Sequence, residues 1–222
     1  MARHFLITGT DTAVGKTTLA CALAHDLRAR GMRVGVMKPA ETGCAERDGR
    51  LEPADAIALS RAAESNDPLD LVCPYRYRSP LAPALAAEVD GIEAPGLARI
   101  AVAFERIATG RDVVLVEGAG GITVPITWRE NYADLALALN LEVVVVVANR
   151  LGCLNATLLT LDHAARRNLR VRGYVLNQAA SELSAATRTN AAALARLTSV
   201  ICLGQMEFGD SSARAIATRL VA

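Results

Sequence analysis

The chain has 222 residues, of which 52% are hydrophobic, 21% charged and 4% aromatic. This length and apolar content are typical of one α/β domain, so we expect residues 1–222 to form a single domain. The 24 Lys and Arg side chains nearly balance the 23 Asp and Glu side chains, which leaves a net charge of +1. Such a balance, with so few aromatic rings, argues against a nucleic-acid-binding surface and against electrostatic attachment to a membrane.

Cysteine and histidine are too dispersed to predict a disulfide framework or a metal site held by imidazole. None of the five cysteines forms a Cys-x-x-Cys pair, and the three histidines stand far apart. Scattered cysteines in odd number indicate reduced thiols, as in the cytoplasm. No apolar run is longer than the six residues of 143–148. A membrane span needs about 18, so we expect a cytoplasmic protein.

Strands and helices alternate along the chain, which predicts a doubly wound, mainly parallel sheet flanked by helices. The strand candidates are apolar throughout, as expected where helices cover both faces of a sheet. Residues 66–96 carry Pro and Gly and are predicted to leave the sheet. The predicted strands are 4–9, 33–39, 112–118, 142–149, 171–177 and 199–204, and the predicted helices are about 16–30, 53–64, 96–109, 131–140, 153–168, 184–196 and 211–220.

A phosphate-binding loop is predicted at residues 9–18, GTDTAVGKTT, because this segment follows a strand and opens a helix. Its backbone N–H groups and the helix N-terminus form a cradle of positive potential. Lys16 would contact the β- and γ-phosphates, and the Thr17 hydroxyl would coordinate Mg²⁺. The loop therefore predicts binding of a nucleoside triphosphate with Mg²⁺. The residues expected to contact the nucleotide are Thr12, Ala13, Val14, Gly15, Lys16, Thr17 and Thr18.

Charged residues follow the next two strands, at the edge of the sheet where ligands bind. Lys38 ends the second strand and would stabilise a transferring phosphoryl group or an anionic acceptor, although a solvated lysine explains its position equally well. Glu117 ends the third strand, where a second Mg²⁺ ligand is expected opposite the loop. The residues after it, Gly118, Ala119 and Gly120, would let the backbone approach phosphate. They lack the spacing of a dinucleotide-binding motif.

Three further features lie at strand or helix ends. Asp55 falls in the first turn of a helix, where the helix dipole alone explains an acidic residue. The glycine-bearing turn 149–155 leads into a helix and is a natural carboxylate or phosphate site, although Asn155 also suits a helix cap. Asn177 ends the fifth strand, where a side-chain amide either reads a nucleotide base or stabilises the turn.

Taken together, these residues resemble the dethiobiotin synthetase family of biotin biosynthesis. The resemblance covers nearly the whole chain, and the combination of motifs is specific although most of them are weak alone. The family's phosphate-binding loop is extended, which accounts for Gly9 standing one residue before the first glycine position of the common motif. The matching segments are TGTDTAVGKT (8–17), MKPAETG (37–43), Asp55 before an apolar helix, LVEGAGG (115–121) and RLGCLN (150–155).

The resemblance implies an ATP-dependent cyclo-ligase that forms the ureido ring of dethiobiotin from 7,8-diaminopelargonic acid and CO₂. In this family an amine of the substrate becomes a carbamate, and the carbamate attacks the γ-phosphate to give a carbamic-phosphoric anhydride. The second amine then attacks the carbonyl carbon, loses a proton, closes the ring and expels phosphate. The resemblance also implies ATP as co-substrate, Mg²⁺ as cofactor, and a homodimer in which the partner subunit completes the site.

Carried over position by position, the resemblance assigns roles to the candidate residues. The metal ligands would be Thr17, Asp55 and Glu117. The catalytic residues would be Lys16, which holds the phosphates, and Lys38, which holds the carbamate and stabilises its attack. Thr42 would hydrogen-bond the carbamate, Asn177 would contact the adenine, and Gly152, Cys153 and Asn155 would bind the carboxylate tail of the substrate.

Alternatives remain open at this point. Gln178 follows Asn177 where some family members have an acid, and residues 203–209 depart from a proline-containing pattern expected near the base, so CTP and other triphosphates stay beside ATP as candidates. A partition-type switch ATPase would carry a lysine at position 11, where this chain has Asp11. A glutamine-dependent amide ligase of the same class would need an additional glutaminase domain, for which 222 residues leave no room.

Overall fold

The computed structural model describes residues 2–179, 181 and 184–222. Most of its strands and helices alternate along the chain. In chain order the elements are β1 (Arg3–Gly9), α1 (Lys16–Arg28), β2 (Val34–Met37), β3 (Ala40–Glu41), β4 (Ala45–Arg47), β5 (Arg50–Glu52), α2 (Ala54–Ala62), α3 (Leu69–Val72), β6 (Tyr75–Arg76), α4 (Pro83–Asp90), α5 (Leu97–Ala108), β7 (Val113–Gly121), α6 (Tyr132–Ala138), β8 (Glu142–Ala148), α7 (Cys153–Arg166), β9 (Val171–Asn177), α8 (Ala185–Leu197), β10 (Cys202–Met206) and α9 (Arg214–Val221).

Six of the strands form a central parallel sheet in the order β10-β9-β8-β1-β7-β2. The strand that precedes the predicted phosphate-binding loop, β1, lies in the interior of this sheet between β7 and β8. Helices pack on both faces, because each parallel connection has to cross over the sheet. The predicted fold class, a doubly wound and mainly parallel sheet flanked by helices, is confirmed.

Two hydrophobic layers, one on each face of the sheet, explain why the central strands are apolar at every position. In β1, Phe5 and Ile7 belong to one layer and Leu6 to the other, and the valines of β8 alternate in the same way. Successive side chains of a strand point to opposite faces, so a strand covered on both sides needs apolar residues throughout. Among the described residues, no helix has the length and apolar character needed to cross a bilayer.

Several short elements differ from the sequence-based prediction. Residues 66–96 leave the sheet as expected, but they contain two helices and a strand that pairs with β3. A hairpin of β4 and β5 precedes α2 and was not predicted. The last strand begins at Cys202 rather than at 199, because the apolar run does not reveal where pairing with β9 starts. The last helix begins at Arg214 rather than at 211.

The strand register brings the candidate residues to one edge of the sheet. β1, β7 and β2 are adjacent and parallel, so their carboxyl ends meet. Glu117 pairs with Ile7 of β1, two residues before the loop begins. Met37 of β2 pairs with Val116, which places Lys38 beside Glu117. Three segments far apart in the sequence therefore converge on the N-terminus of α1.

Candidate active site

The phosphate-binding loop joins β1 to α1 and is held in shape by hydrogen bonds within the chain. Gly15 has a left-handed backbone (φ 92°), and a Cβ at this position would collide with the amide nitrogen of Asn177. A residue with a side chain would therefore be both strained and obstructed there. The Lys16 Nζ donates to the backbone carbonyl of Asp11 over 3.0 Å, and the Asp11 carboxylate accepts from the N–H of Thr12 over 2.7 Å.

A network of charged side chains lies beside the loop. The Lys38 Nζ donates to Oδ2 of Asp55 over 2.7 Å and to Oε1 of Glu117 over 2.5 Å. The hydroxyl of Thr17 donates to the same Glu117 oxygen over 2.8 Å. Lys38 is 4% exposed and Glu117 is 1% exposed, so the interpretation of Lys38 as a solvated lysine is wrong. Side chains from the residue after β2, from α2, from β7 and from the first turn of α1 form one network.

The electrostatics of this network favour the charged forms of Lys38 and Asp55. Burial opposes the charged form of Lys38, but Glu117 and Asp55 outweigh that cost and raise its pKa. Burial likewise opposes the charged form of Asp55, and the neighbouring Lys38 overcomes it and lowers the pKa of this carboxyl group. Burial and the charge of Lys38 lower the pKa of Lys16. Two basic and two acidic side chains therefore lie together in this network.

The donor set fits Mg²⁺ bound together with a triphosphate. Glu117 Oε2 is buried, and no group in the described part of the chain forms a hydrogen bond with it. Asp55 and the Thr17 hydroxyl line the same cavity as Glu117. Nowhere in residues 2–179, 181 and 184–222 do three or more His, Cys, Asp or Glu side chains cluster as a metal site. Two carboxylates and a hydroxyl are the incomplete oxygen set that Mg²⁺ uses when phosphates and water supply the rest.

These side chains line a cavity of about 600 Å³, which is large enough for a small-molecule ligand. Most of the predicted site residues are brought together here. The predicted residues that line it are Thr12, Ala13, Gly15, Lys16, Thr17, Thr18, Lys38, Thr42, Asp55, Glu117, Ala119 and Gly120.

Val14, Gly118 and Asn177 lie behind the cavity wall and pack against the loop or the sheet. The Asn177 side-chain amide donates to the carbonyl of Val14 over 2.9 Å, so it braces the loop from the end of β9. Gly118 packs against the ring of Tyr132, and a Cβ at Gly118 would be 3.2 Å from that ring. The expected contact between Asn177 and a nucleotide base stays a prediction.

The turn at Gly152, Cys153 and Asn155 does not line this cavity. Gly152 is left-handed (φ 92°) and opens α7 without a side-chain cap, whereas Asn155 lies inside the helix and is exposed. The interpretation of Asn155 as a helix cap is therefore wrong. Cys153 is buried, and burial raises the pKa of its thiol. Binding of a substrate tail at this turn stays a prediction.

The sequence did not predict two features of the cavity and its surroundings. The first is an apolar wall formed by residues 80–83 and Val124, which faces the charged network. The second is Glu41, a buried carboxylate that accepts hydrogen bonds from the first turn of α2. Lys38, by contrast, was predicted from its place after an apolar strand. The chain has only two lysines among 24 basic residues, and both line the cavity. A lysine offers a compact point charge, which an arginine does not.

Comparison with known proteins identifies relatives along nearly the whole chain. A family model described as an AAA domain matches residues 3–215. The ATP-dependent dethiobiotin synthetase BioD of Anaeromyxobacter dehalogenans is 46% identical over 196 residues, which are 88% of this chain and 86% of the relative. The protein of the same name from Thermodesulfovibrio yellowstonii is 38% identical over 216 residues, covering 94% of this chain and 90% of the relative.

Solved structures with a similar fold are more distant in sequence. The cell division protein FtsY of Thermotoga maritima has a TM-score of 0.57 at 17% identity and is covered over 69% of its length. A ParA family ATPase from Chlorobium tepidum has a TM-score of 0.57 at 15% identity and is covered over 90% of its length. Both matches cover 100% of this chain. At such identities they support the fold alone.

Proposed function

The chain belongs to the dethiobiotin synthetase family, and we propose that it is an ATP- and Mg²⁺-dependent cyclo-ligase that forms dethiobiotin from 7,8-diaminopelargonic acid and CO₂. The observation that carries this proposal is the second buried lysine, Lys38, beside the phosphate-binding loop. To bind a triphosphate, the chain needs only Lys16 and the loop. A second buried cation in the same cavity suits a second anion that has to approach the γ-phosphate.

The reaction brings two anions together, which is the task these residues suit. An amine nitrogen of the substrate adds to CO₂ and loses a proton, which leaves a carbamate. A carbamate oxygen attacks the γ-phosphorus, the bond between that phosphorus and the bridging oxygen of ADP breaks, and a carbamic-phosphoric anhydride forms. The second amine attacks the carbonyl carbon, closes the ring, and expels phosphate together with the former carbamate oxygen. No side chain has to form a covalent bond.

The proposed roles of the chain's own residues follow from their charge and position. Lys16 holds the phosphates at the N-terminus of α1, where the helix dipole also favours an anion. Lys38 neutralises the carbamate as it approaches the γ-phosphate, and the hydroxyl of Thr42, which lines the same cavity, hydrogen-bonds to it. Preorganised charges in a partly closed cavity stabilise the transition state without having to reorient.

Mg²⁺ is proposed to be held by Thr17, Asp55 and Glu117, and when bound it neutralises charge that develops on the phosphate oxygens. In the structure Asp55 and Glu117 instead share the Lys38 ammonium group. Carboxylates that turn from the ammonium group toward a divalent cation would leave Lys38 free for the carbamate. The pairing of Lys38 with both proposed ligands supports this division of roles.

We further propose that the substrate's alkyl chain lies along the apolar wall at residues 80–83. Its carboxylate would be bound at the α7 N-terminus of a partner subunit in a homodimer. The uncapped start of α7 after Gly152 is suited to a carboxylate. This turn does not line the cavity of its own chain. Its position outside the cavity supports a site shared between two chains.

ATP is the proposed nucleotide, because the relatives that share 38–46% of their residues with this chain are named as ATP-dependent. A partition-type switch ATPase is the second candidate, since the sheet resembles a ParA family ATPase. Position 11 argues against it, because a partition-type ATPase would carry a lysine there and this chain has Asp11. The Asp11 carboxylate pairs with Arg150, and the Asp11 carbonyl accepts from Lys16.

The test is a phosphate-release assay with purified protein, ATP, Mg²⁺, bicarbonate and diaminopelargonic acid. We expect phosphate release that requires the diamine and is matched by dethiobiotin, measured by mass spectrometry. Phosphate release that is indifferent to the diamine would contradict the ligase and favour the switch ATPase. Replacing ATP with CTP or GTP in the same assay measures the base preference directly.

A further inference from the structure

Glu41 is a buried carboxylate whose two oxygens accept hydrogen bonds from the backbone of α2, beside the charged network. It lies in the two-residue strand β3 and is 6% exposed. Its Oε1 accepts from the N–H of Asp55 over 2.9 Å, and its Oε2 accepts from the N–H of Ala56 over 2.9 Å. Glu41 does not line the cavity, and the reaction proposed above gives it no role.

The start of α2 explains why a distant carboxylate is needed there. The first turn of a helix has backbone N–H groups without partners inside the helix. A serine or aspartate at the N-cap position often accepts from them, but α2 has Pro53 at that position and no side-chain cap. Glu41 takes over this task with both of its oxygens, and its negative charge also suits the positive end of the helix dipole.

Glu41 is itself firmly placed. Its backbone carbonyl accepts from the N–H of Tyr77 over 2.9 Å, and β3 pairs with β6. The N–H of Lys38, three residues earlier, donates to the carbonyl of Val72 over 2.7 Å. The short segment 38–41 thus supplies the Lys38 ammonium group and also holds the helix that carries its partner, Asp55.

We propose that Glu41 is a positioning residue that fixes the direction from which the Asp55 carboxylate enters the cavity. The inference rests on the proposed function, in which Asp55 is a ligand of the Mg²⁺ that accompanies ATP. Two parallel hydrogen bonds restrain rotation of the first helical turn better than one. Glutamine at position 41 would place an N–H donor against one of the two backbone N–H groups, so the pair of bonds requires a carboxylate.

Metal binding, measured without turnover, tests this role. The probe is Mn²⁺ in place of Mg²⁺, titrated into the protein bound to a non-hydrolysable ATP analogue and followed by electron paramagnetic resonance. For Glu41→Gln we expect the Mn²⁺ affinity to fall about tenfold, as is common when a residue that orients a metal ligand is changed. The affinity for the analogue without metal should stay within about twofold of the unmodified chain, because Glu41 does not line the cavity. Glu46→Gln, at a surface carboxylate that pairs with Arg78, is the matched control and should leave both affinities unchanged.

A second variant separates positioning from simple helix capping. Adding Pro53→Ser to Glu41→Gln gives α2 a cap of its own and should restore resistance to urea. We expect the Mn²⁺ affinity to stay low in this double variant, because a local cap does not tie the helix to β3. An Mn²⁺ affinity that is normal in Glu41→Gln, or that returns with Pro53→Ser, would overturn the proposal. No diamine is present, so this outcome is independent of whether the enzyme forms dethiobiotin.

Discussion

Two helices of this protein begin in the same way, and the contrast between their surroundings is informative. Both α1 and α7 follow an interior strand of the sheet, and each opens after a left-handed glycine, Gly15 or Gly152, with a φ of 92° and no side-chain cap. The start of α1 is surrounded by buried charges and faces the cavity. The start of α7 carries Leu151, which is 87% exposed, and lies outside that cavity.

The difference shows that an open helix N-terminus becomes a site only through its neighbours. At α1, the ends of β2 and β7 bring Lys38 and Glu117 beside the phosphate-binding loop. The charged residues around this loop therefore come from one chain. Before α7, Arg150 forms an exposed ion pair with Asp11 of the loop. Exposed pairs of this kind contribute little energy. Under the proposed function, binding of the substrate's carboxylate at α7 would therefore depend on a second chain.

Removing the second cation at the α1 end is expected to have the largest effect on the reaction. Lys38→Ala should lower kcat about 10²–10³-fold, because a buried charge aimed at the transition state is lost. The KM for ATP should change little. Lys38→Arg should not rescue the rate, since a planar guanidinium does not fit where a compact ammonium contacts two carboxylates. A large loss of nucleotide affinity in Lys38→Ala would instead assign Lys38 to the phosphates of the ground state.

A negative charge added at the N-terminus of α7 should change only the KM for the diamine. Asn155→Glu places a carboxylate at the helix N-terminus that is proposed to bind the substrate's carboxylate. We expect the KM for diaminopelargonic acid to rise about tenfold through like-charge repulsion, with the KM for ATP unchanged. Asn155→Gln is the matched control without charge. Equal KM values for the diamine in both variants would remove α7 from the site.

Mixing these two variants tests whether the two ends come from different chains. In a mixed dimer of Lys38→Ala and Asn155→Glu, one of the two sites would combine the unmodified Lys38 of one chain with the unmodified Asn155 of the other. Random exchange of subunits should therefore restore about one quarter of the unmodified activity at low diamine concentration. Activity that does not rise above the average of the separate variants would place both ends in the same chain.

A change near the C-terminus of α1 is expected to affect the reaction least, because Asp26 there has a structural role. Asp26 is buried and accepts from the Ser212 hydroxyl over 2.9 Å and from the N–H of Ala213 over 2.6 Å, which holds the start of α9. Asp26→Asn should reduce the free energy of unfolding by about 1–3 kcal/mol and leave kcat and KM unchanged. Asp48→Asn, in an exposed turn, is the control.

The loss of stability caused by Asp26→Asn should depend on pH. Burial opposes the charged carboxylate, but hydrogen bonds from Ser212, His25 and Ala213 outweigh it and lower its pKa in the folded state. A carboxyl group with a lowered pKa stabilises the fold above its unfolded pKa of about 3.9, and this contribution disappears as the pH falls through the folded value. Urea unfolding should therefore show a large difference in the free energy of unfolding between the unmodified protein and Asp26→Asn at pH 7. The difference should be smaller below about pH 4. A difference that grows toward low pH would contradict this assignment.

The same contrast explains what could be predicted from the sequence. The α1 end was predictable because its residues sit in local patterns: a loop between strand and helix, and a charged residue directly after an apolar strand. Parallel strands in one sheet bring their carboxyl ends to the same edge, so Lys16, Lys38 and Glu117 could be expected to meet. The fold class followed from the same alternation of apolar strands and amphipathic helices.

The unpredicted parts depend on contacts between short segments that have no periodic pattern. The two-residue strands β3 and β6 are too short to show alternation, so neither the position of Glu41 nor its bonds to α2 could be inferred. The apolar wall at residues 80–83 belongs to the excursion at 66–96, where no periodic pattern predicts which residues line the cavity. The start of β10 depends on its partner strand, which the apolar run near 200 does not specify.

In the proposed reaction a carbamate oxygen attacks the γ-phosphorus, and an isotope label on the CO₂ follows that oxygen into the products. The reaction is run with diaminopelargonic acid, ATP, Mg²⁺ and freshly dissolved ¹⁸O-labelled CO₂, and it is quenched before the label exchanges with water. If the carbamate attacks the γ-phosphorus, each phosphate released with dethiobiotin carries one ¹⁸O atom from the CO₂. Released phosphate without ¹⁸O would mean that water attacks the γ-phosphorus, and this result would contradict the account.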